Sequence, residues 1–373
     1  MQFRDLKAQY SALKTEIDEA LLSVAAAGDF IMGKKVLQLE EQLAEYVGVK
    51  HCISCANGTD ALTLPLMAWG IKPGDALFVP NFTFFSTGEV VSFAGAVPIF
   101  VDVDADTFNI DTVDLEEKIT HVLAQGKLSP KAIIPVDLFG QPADYAEIER
   151  IAKKYNLLVM EDGAQGFGGA IGERKACSFG DVAITSFFPA KPLGCYGDGG
   201  ALFTNDDALA AELKSIRVHG KGADKYDNVR IGVNSRLDTI QAAVLLPKFK
   251  AFTDYELENV NRTAQLYSQM LGGIVKTPVV PQGYYSSWAQ YTVTFENKEK
   301  RDLVQSYLKE KGIPTMVYYP KPMHKQTAFA NLESAHIRYP VSDMLCDCVL
   351  SLPMHPYLSG KDVETVCNVI KEA

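Results

Sequence analysis

The sequence predicts an α/β protein built on a mostly parallel seven-stranded sheet, followed by a smaller α+β domain. Short apolar runs alternate with helical stretches over roughly the first two thirds of the chain, which is the order that builds parallel sheets. Several runs are rich in Val, Ile and Leu without polar alternation, as expected of strands buried on both faces. The chain has 373 residues, enough for two domains.

Seven apolar runs supply the predicted strands. In chain order they are HCISCA, ALFVP, VPIFVDVD, AIIPVDLFG, LLVMED, VAITSFF and ALFTN. Helical apolar spacing predicts two helices ahead of them, over Leu6–Ala26 and Val36–Val47, the second ending at Gly48. The crossover helices between the strands are predicted at Asp60–Trp69, Glu89–Ala94 and Tyr145–Tyr155.

The pattern changes after Asn234. A long helical pattern, SRLDTIQAAVLLPKFKAF, continues through Leu271. The stretch WAQYTVTF, a helix at Arg301–Lys311, the stretch PTMVYY and a last helix at Lys361–Glu372 then follow. We therefore predict a large α/β domain over residues 1–250 and a small α+β domain over residues 251–373.

Composition excludes several functional classes. A net charge of -10 argues against a general nucleic-acid or anionic-membrane surface. The first residues, MQFRDLKAQY, lack the apolar core of a signal peptide, and no apolar run reaches the roughly 18 residues of a membrane span. Seven cysteines, an odd number, indicate a reducing compartment. We expect a cytoplasmic protein that binds neither nucleic acid nor membrane.

The spacing of Cys52 and Cys55 does not predict a metal site. Both lie in the apolar run HCISCA, and no second cysteine pair stands at a metal-like spacing. We expect two buried strand cysteines and no bound metal.

Three strand ends carry unusual residues, and ligands of open α/β sheets bind beyond such ends. The first is CISCANGTDAL, where Gly58, Thr59 and Asp60 open a helix directly after a strand. Free N–H groups of a first helical turn, together with a threonine hydroxyl, form an anion-binding site. An ordinary helix cap is the alternative interpretation.

The second strand end is LLVMEDGAQGFGG. Asp162 ends a strongly apolar strand, where a carboxylate is costly unless it meets a cation. Gln165 follows one short turn later, and the glycines leave room for a flat ligand. A turn-capping aspartate is the alternative. A dinucleotide fingerprint fits poorly, because Gly166-x-Gly168 lacks a third glycine and a following helix.

The third strand end is SFFPAKPLGCYGDGG. Ser186 closes the strand, and Lys191 follows in a proline-flanked loop. Burial lowers the pKa of a lysine, as a Schiff-base amine requires. The aromatic residues expected to bury it are Phe187, Phe188 and Tyr196. Glycines within residues 197–200 would let the backbone pass close to a bound ring. A lysine that extends to solvent is the alternative.

These three strand ends together match the needs of pyridoxal 5'-phosphate. Its phosphate needs N–H donors, its pyridine nitrogen needs an acid, and its aldehyde needs a lysine. The anion site, the carboxylate and the amine are all expected at one edge of the sheet. The combination therefore predicts this cofactor, although each signal alone is weak.

The chain also resembles the DegT/DnrJ/StrS-type sugar aminotransferases, which have the type I fold of pyridoxal-phosphate enzymes. The resemblance runs from FRDLKAQY to SLPMHPYL. The most specific matches are CANGTDAL, PNFTFFST, IIPVDLFGQPAD, VMEDGAQGFG, SFFPAKPLGCYGDGGALFTND and GVNSRLDTIQAA.

This resemblance implies a set of cofactor-binding residues. Lys191 would form the Schiff base and shuttle a proton, Asp162 would pair with the pyridinium nitrogen, and Gln165 would bind the ring hydroxyl. The phosphate would be held by Gly58, Thr59, Asp60 and Ser186. Phe84 would stack on the ring, and Asn234 would reach the phosphate from a partner subunit, which implies a homodimer with shared sites.

The resemblance is less definite about the substrate pocket. Arg236 is a candidate for a substrate carboxylate, because a guanidinium binds one bidentately. Many relatives have a histidine where this chain has Phe188, and another where it has Tyr318, ahead of Tyr319. Neither difference removes the cofactor chemistry. The remaining substrate candidates are therefore Tyr318, Tyr319 and His324.

Within the family, the motifs resemble enzymes that aminate a 3-keto, UDP-linked N-acetyl-hexuronate for bacterial surface polysaccharides, with L-glutamate as amino donor. One alternative is a 4-keto or neutral 3-keto sugar nucleotide as substrate. Another is a dehydratase-type relative, which lacks the lysine, so that Lys191 argues against it. The third is a non-catalytic regulator that binds a sugar nucleotide, which the complete set of cofactor residues argues against.

Overall fold

The computed structural model describes residues 1–224 and 226–373. The strands are β1 (His51–Cys55), β2 (Asp75–Pro80), β3 (Val97–Val101), β4 (Ser129–Ile133), β5 (Leu158–Asp162), β6 (Ala170–Ile171), β7 (Arg174–Lys175), β8 (Val182–Ser186), β9 (Gly200–Thr204), β10 (Tyr284–Tyr285), β11 (Tyr291–Thr294) and β12 (Val349–Leu352). The α-helices are α1 (Leu6–Ala12), α2 (Lys14–Ala27), α3 (Lys34–Val47), α4 (Gly58–Ala68), α5 (Ser86–Phe93), α6 (Thr112–Gln125), α7 (Tyr145–Tyr155), α8 (Asp207–Ile216), α9 (Thr239–Ala251), α10 (Leu257–Leu271), α11 (Lys298–Glu310), α12 (Pro340–Cys348) and α13 (Gly360–Glu372).

The main sheet has seven strands in the order β1-β9-β8-β5-β4-β2-β3. Neighbouring strands from β8 to β3 are parallel, whereas β9 is antiparallel to both β1 and β8. The predicted α/β class with a mostly parallel seven-stranded sheet is therefore confirmed. Because β9 is antiparallel to both of its neighbours, β1 runs in the same direction as β8 and β5. These three strands therefore present their carboxyl ends at the same edge.

The strands of the sheet centre are buried on both faces. Every residue of β2, β8 and β9 is buried, because helices cover both sides of the sheet. This explains why the apolar runs lack the alternation of a half-exposed strand. Strand β4 starts earlier than its predicted run and ends at Ile133, two residues before Pro135, which cannot donate a ladder hydrogen bond.

Two predicted helices match the structure closely. Helix α3 ends at Gly48, which has the left-handed backbone (φ 85°) of a helix C-cap. Helix α7 has the predicted bounds, with the Asp144 side chain capping its first turn. Helices α6 and α8 were not predicted, although Asp111 and Asp206 cap them in the usual way.

The long helical pattern after Asn234 forms two helices rather than one. Helices α9 and α10 are joined by a π-helical segment, Phe252–Glu256. Beyond it, β11 and β12 pair antiparallel. A separate apolar cluster lies between Val260 and Ile370. The proposed domain boundary at residues 250 and 251 stays a prediction.

The stretch PTMVYY contributes no strand of its own. Met316 forms a single bridge to Ser351, and the following residues lead to the edge of the main sheet. In the described part of the chain, no helix is both long and apolar enough to span a bilayer.

Candidate active site

A cavity of about 660 Å³ lies at the carboxyl edge of the main sheet. It brings together the three strand ends singled out in the sequence. The predicted residues that line it are Gly58, Thr59, Phe84, Asp162, Gln165, Ser186, Lys191, Tyr318 and Tyr319. Residues separated by up to 261 positions in the chain, such as Gly58 and Tyr319, therefore share one cavity.

The first wall of the cavity is the start of helix α4. Asn57 caps this helix, with its Oδ1 accepting a hydrogen bond from the backbone N–H of Asp60 at 2.7 Å. The N–H predicted to bind phosphate at Asp60 thus already has an acceptor within the chain. Gly58 and Thr59 line the cavity at the positive end of the helix dipole, where an anion is stabilised.

Gly58 also allows a close approach between α4 and the end of β8. A Cβ atom at position 58 would lie 2.7 Å from Cβ of Ser186 and 3.0 Å from its Oγ. Only glycine leaves this space, so the Ser186 hydroxyl can lie beside the first turn of α4. The two elements together form a compact set of donors for a phosphate.

Asp162 is buried at the end of β5 and accepts a hydrogen bond on each carboxylate oxygen. Thr87 Oγ1 donates to its Oδ2 at 2.9 Å, and the N–H of Ala164 donates to its Oδ1 at 3.2 Å. Burial raises the pKa of this carboxyl above its usual value, while the bond from Thr87 and the charge of Lys191 act in the opposite direction. A cationic N–H in the cavity would stabilise the ionised form further.

The amide of Gln165 has a fixed orientation. Its Oε1 accepts from the N–H of Phe139 at 2.7 Å, and its Nε2 donates to Tyr319 Oη at 3.0 Å. One hydrogen of Nε2 therefore stays available for a ligand oxygen. Gln165 and Tyr319 join the sheet edge to the segment that follows α11.

Lys191 lines the cavity from the loop that follows β8. Burial lowers the pKa of its amine, Asp162 opposes that change, and the charge of Arg4 adds to it. The predicted source of this burial is partly wrong. Phe187 is buried in the core, but Phe188 and Tyr196 are 53% and 38% exposed, because the chain leaves the sheet after Ser186 and turns outward.

Two glycines after Lys191, Gly199 and Gly200, allow close packing within the protein, and their approach to a bound ring stays a prediction. A Cβ at Gly199 would lie 2.9 Å from Leu237 Cδ1, and one at Gly200 would lie 2.6 Å from the carbonyl oxygen of Asn57. They let β9 pack against its neighbours. From residues 197–200, Asp198 is the residue that lines the cavity.

Besides Asp60, three predicted residues do not line this cavity. Asn234 is exposed and bridges to Val218, and Arg236 is half-buried; neither lines the cavity. His324 is buried elsewhere, since its backbone N–H donates to Asn81 Oδ1 at 2.9 Å and its ring lies 4.8 Å from that of Tyr339. Within one chain the geometry gives these three residues no contact with a ligand in the cavity.

Sequence reasoning missed residues that support the site. Thr87 lies within the recognised stretch PNFTFFST, so its motif was visible while its bond to Asp162 was not. Asn57 was visible as a cap residue ahead of a helix. Arg4 lies in the recognised stretch FRDLKAQY, but its contact was not visible there, because it donates to the carbonyl oxygen of Lys191 from a position 187 residues away.

The described residues show no group of three or more His, Cys, Asp or Glu side chains arranged for a metal ion. The residues around the cavity instead fit pyridoxal 5'-phosphate. A buried acid, a lysine of lowered pKa and a helix N-terminus with an adjacent serine are present in one cavity of adequate volume. The space that Gly58 leaves beside Ser186 is consistent with that fit.

Comparisons with known proteins agree with this chemistry. The chain is 46% identical over 371 residues to a UDP-2-acetamido-2-deoxy-3-oxo-D-glucuronate aminotransferase of Pseudomonas aeruginosa, covering 99% of each chain. It is 51% identical to a crystallised DegT DnrJ EryC1 StrS aminotransferase from Brucella abortus, with a TM-score of 0.97 and coverage of 100% of this chain and 99% of that one.

A third relative was solved with a cofactor. NtdA from Bacillus subtilis, with bound cofactor PMP, is 29% identical, with a TM-score of 0.87 and coverage of 99% of this chain and 83% of that one. A family model matches residues 11–371. With this match over nearly its whole length, the chain belongs to the DegT/DnrJ/EryC1/StrS aminotransferase family.

Proposed function

We propose that this protein is a pyridoxal-phosphate-dependent aminotransferase that transfers the amino group of L-glutamate to the keto group of a sugar nucleotide. The observation that carries the proposal is that Lys191, Asp162 and the Gly58–Ser186 contact lie in one cavity. Membership of an aminotransferase family supports it independently.

Lys191 is proposed as the catalytic residue. When bound, the cofactor supplies an aldehyde that takes up the amino group and a ring that accepts electrons. Nζ of Lys191 would bind that aldehyde and would hold and move a proton at the substrate carbon. Because burial lowers the pKa of this amine, more of it is neutral, and so nucleophilic and basic, near pH 7 than for an exposed lysine.

The other cofactor residues hold and polarise the ring. Asp162 is proposed to accept a hydrogen bond from the protonated pyridine nitrogen, and Gln165 Nε2 to donate to the ring hydroxyl. Phe84 is proposed to stack on the ring; it is 54% exposed, with its ring centroid 6.3 Å from that of Tyr319. The proposed phosphate-binding residues are Gly58, Thr59, Asp60 and Ser186.

The proposed substrate is a UDP-linked N-acetyl-hexuronate with a ketone at C3, used for surface polysaccharide such as O-antigen or capsule. The name of the Pseudomonas aeruginosa relative supports it. Tyr318 and Tyr319 border the cavity and could contact the sugar. His324 would reach it only after a rearrangement, because its ring is packed against Tyr339.

We also propose a homodimer in which each cavity is completed by the other subunit. Among the described residues that line the cavity, Lys191 is the only cation, so a substrate carboxylate needs a guanidinium from elsewhere. Arg236 of the partner subunit would supply it, and Asn234 of the partner subunit would reach the phosphate. Since the seven cysteines are free thiols, we place the dimer in the cytoplasm.

The same lack of a second cation supports a second candidate, a neutral 3-keto or 4-keto sugar nucleotide. A neutral sugar needs no guanidinium of its own, so that only the carboxylates of glutamate would then require one. The two candidates differ in their dependence on Arg236. An Arg236→Gln variant should lose turnover of an acidic sugar selectively over a neutral one, if glutamate binding is assayed separately.

The deciding experiment measures 2-oxoglutarate release by the purified protein with L-glutamate and a panel of uronate and neutral keto-sugar nucleotides. We expect release that depends on one class of sugar. Release with neutral sugars alone would select the second candidate. Sugar-nucleotide binding without any release would instead support a non-catalytic regulator.

A further inference from the structure

Two cationic side chains that do not line the cavity bind backbone carbonyl groups of the loop that carries Lys191. Nη2 of Arg4 donates to the carbonyl oxygen of Lys191 at 2.6 Å and to that of Pro192 at 3.3 Å. Nζ of Lys248, a buried residue of α9, donates to the carbonyl oxygen of Gly194. Three carbonyl groups of this short loop are thus bound by charged side chains from two distant parts of the chain.

One carboxylate partly compensates these two cations. Glu256 is buried, and its charge raises the pKa of both Arg4 and Lys248 against the larger effect of burial. Gln9 Nε2 donates to both oxygens of Glu256, at 2.9 and 3.1 Å, and Tyr357 Oη donates to Oε1 at 2.6 Å. Two positive charges against one negative charge leave a net positive charge beneath the Lys191 loop.

The segment that carries Arg4 also contacts the opposite wall of the cavity. The N–H of Met354 donates to the carbonyl oxygen of Phe3 at 3.2 Å. The ring of Phe3 meets that of Tyr318 edge to face, with centroids 6.1 Å apart. The N-terminal segment therefore contacts both the Lys191 loop and Tyr318, and these contacts allow it to support the loop.

We propose that Arg4 and Lys248 are positioning residues for Lys191: they fix the backbone of its loop and place positive charge, only partly compensated by Glu256, beside that loop. The inference rests on the proposed role of Lys191. The charge of Arg4 lowers the pKa of Lys191 in addition to burial, because a like charge disfavours the ammonium form. The acidic residues that line the cavity, Asp162 and Asp198, are common to every variant below.

The test compares Arg4→Met with Arg4→Lys. In the cofactor-loaded protein, the pH midpoint of the visible absorption band is measured. In the cofactor-free protein, acylation of Lys191 is followed against pH by peptide mass spectrometry. We expect Arg4→Met to raise both midpoints by about half a unit to one unit, as a charge a few ångströms away should. Arg4→Lys keeps the positive charge, so both midpoints should return most of the way to the wild-type values.

Glu256→Gln provides a test of opposite sign. Removal of this negative charge should lower both midpoints, because Arg4 and Lys248 are then uncompensated. Arg262→Met is the matched control, since Arg262 is an exposed residue paired with Glu258 on α10. We expect kcat to fall about tenfold in Arg4→Met, with KM for glutamate changing less than about twofold.

Equal midpoints for Arg4→Met, Glu256→Gln and Arg262→Met would overturn the inference. If Arg4→Met does not fold, Lys248→Met should still raise the two pH midpoints and Glu256→Gln should still lower them. Shifts of the same sign in these two variants would equally contradict the inference. These outcomes are distinct from failure of the proposed function, in which the wild-type protein itself would release no 2-oxoglutarate.

Discussion

Thr87 Oγ1 donates a 2.9 Å hydrogen bond to Asp162 Oδ2, which joins helix α5 to the carboxyl end of strand β5. Both residues are buried. A hydrogen bond to a carboxylate favours its ionised form, whereas burial favours the neutral acid. Thr87 therefore favours the ionised form of Asp162, the acid that is proposed to pair with a protonated pyridine ring.

Thr87→Val should weaken cofactor binding. The substitution keeps the shape of the side chain, but the lost bond raises the pKa of Asp162 further and leaves Oδ2 without this donor. We expect the dissociation constant for pyridoxal 5'-phosphate to rise about tenfold, since hydrogen bonds to charged groups contribute about 1.5–3 kcal/mol. A titration of cofactor absorbance measures it. Thr87→Ser keeps the hydroxyl and should bind normally; equal constants for all three proteins would contradict the assignment.

Lys191→Ala should abolish turnover and leave the fold intact. Nζ is proposed as the amine that binds the cofactor and moves the proton, and no other lysine of the described chain lines the cavity. The measurement is 2-oxoglutarate release together with the visible absorption band and the melting temperature. Lys154→Ala, at an exposed ion pair on α7, serves as the control. A variant of Lys191 that still forms a borohydride-reducible adduct with the cofactor would identify another lysine.

Gly58→Ala should damage both stability and phosphate binding. Its Cβ would lie 2.7 Å from Cβ of Ser186, so that α4 must move away from β8, at a cost of about 1–3 kcal/mol. Gly360→Ala is the matched control: Gly360 is also the first residue of a helix, and a Cβ there would lie 3.7 Å from Leu266 Cδ2.

Melting temperature and cofactor affinity are measured for both glycine variants. Gly58→Ala should lose about tenfold in affinity for the phosphate ester, whereas Gly360→Ala should match the wild type in affinity. Unchanged affinity in Gly58→Ala would show that α4 and β8 can separate without effect on the site.

Asp137 should make folding stability fall as the pH rises towards neutrality. Burial raises the pKa of Asp137 to about 7, near the buried Glu161, whose pKa is also raised. A carboxyl with a folded-state pKa above its unfolded value of about 3.9 stabilises the fold below about pH 4, and this contribution is lost as the pH rises through about 7. Asp137→Asn removes this dependence while it can still accept the bond from Tyr145 Oη.

Urea unfolding at about pH 5 and about pH 8 checks this effect. The free energy of unfolding of the wild type, relative to Asp137→Asn, should be higher at the lower pH, with a slope on the order of 1.4 kcal/mol per pH unit at most. Asp347→Asn, at an exposed position of α12, should parallel the wild type. Parallel curves for Asp137→Asn would show that the carboxyl is ionised throughout.

The sheet and the centre of the site could be predicted because their signals are local. Apolar runs marked the strands; Asp162 ends one of them and Lys191 lies in the loop after another, so topology alone brought them to one edge. The antiparallel direction of β9 could not be predicted in this way, because a buried strand has the same apolar pattern in either direction.

The supporting residues could not be predicted because their partners are far away in sequence. Arg4 and Lys191 are separated by 187 positions, and Thr87 and Asp162 by 75. The exposure of Phe188 and Tyr196 to solvent could not be predicted either. Their aromatic rings suggested burial, but the loop turns outward after Ser186. His324 lies close to Tyr319 in sequence, yet its ring packs against Tyr339 instead.

Tyr318 and Tyr319 reach the cavity from the segment between α11 and α12, whereas the residues beside Lys191 and Asp162 come from the main sheet. A chimaera that receives residues 314–322 from a homologue with a different sugar preference would therefore change the wall formed by Tyr318 and Tyr319 while Lys191 and Asp162 keep their places. The hydrogen bond from Gln165 to Tyr319 links this wall to the proposed cofactor residues, so a tyrosine kept at position 319 would let substrate choice evolve apart from the reaction itself.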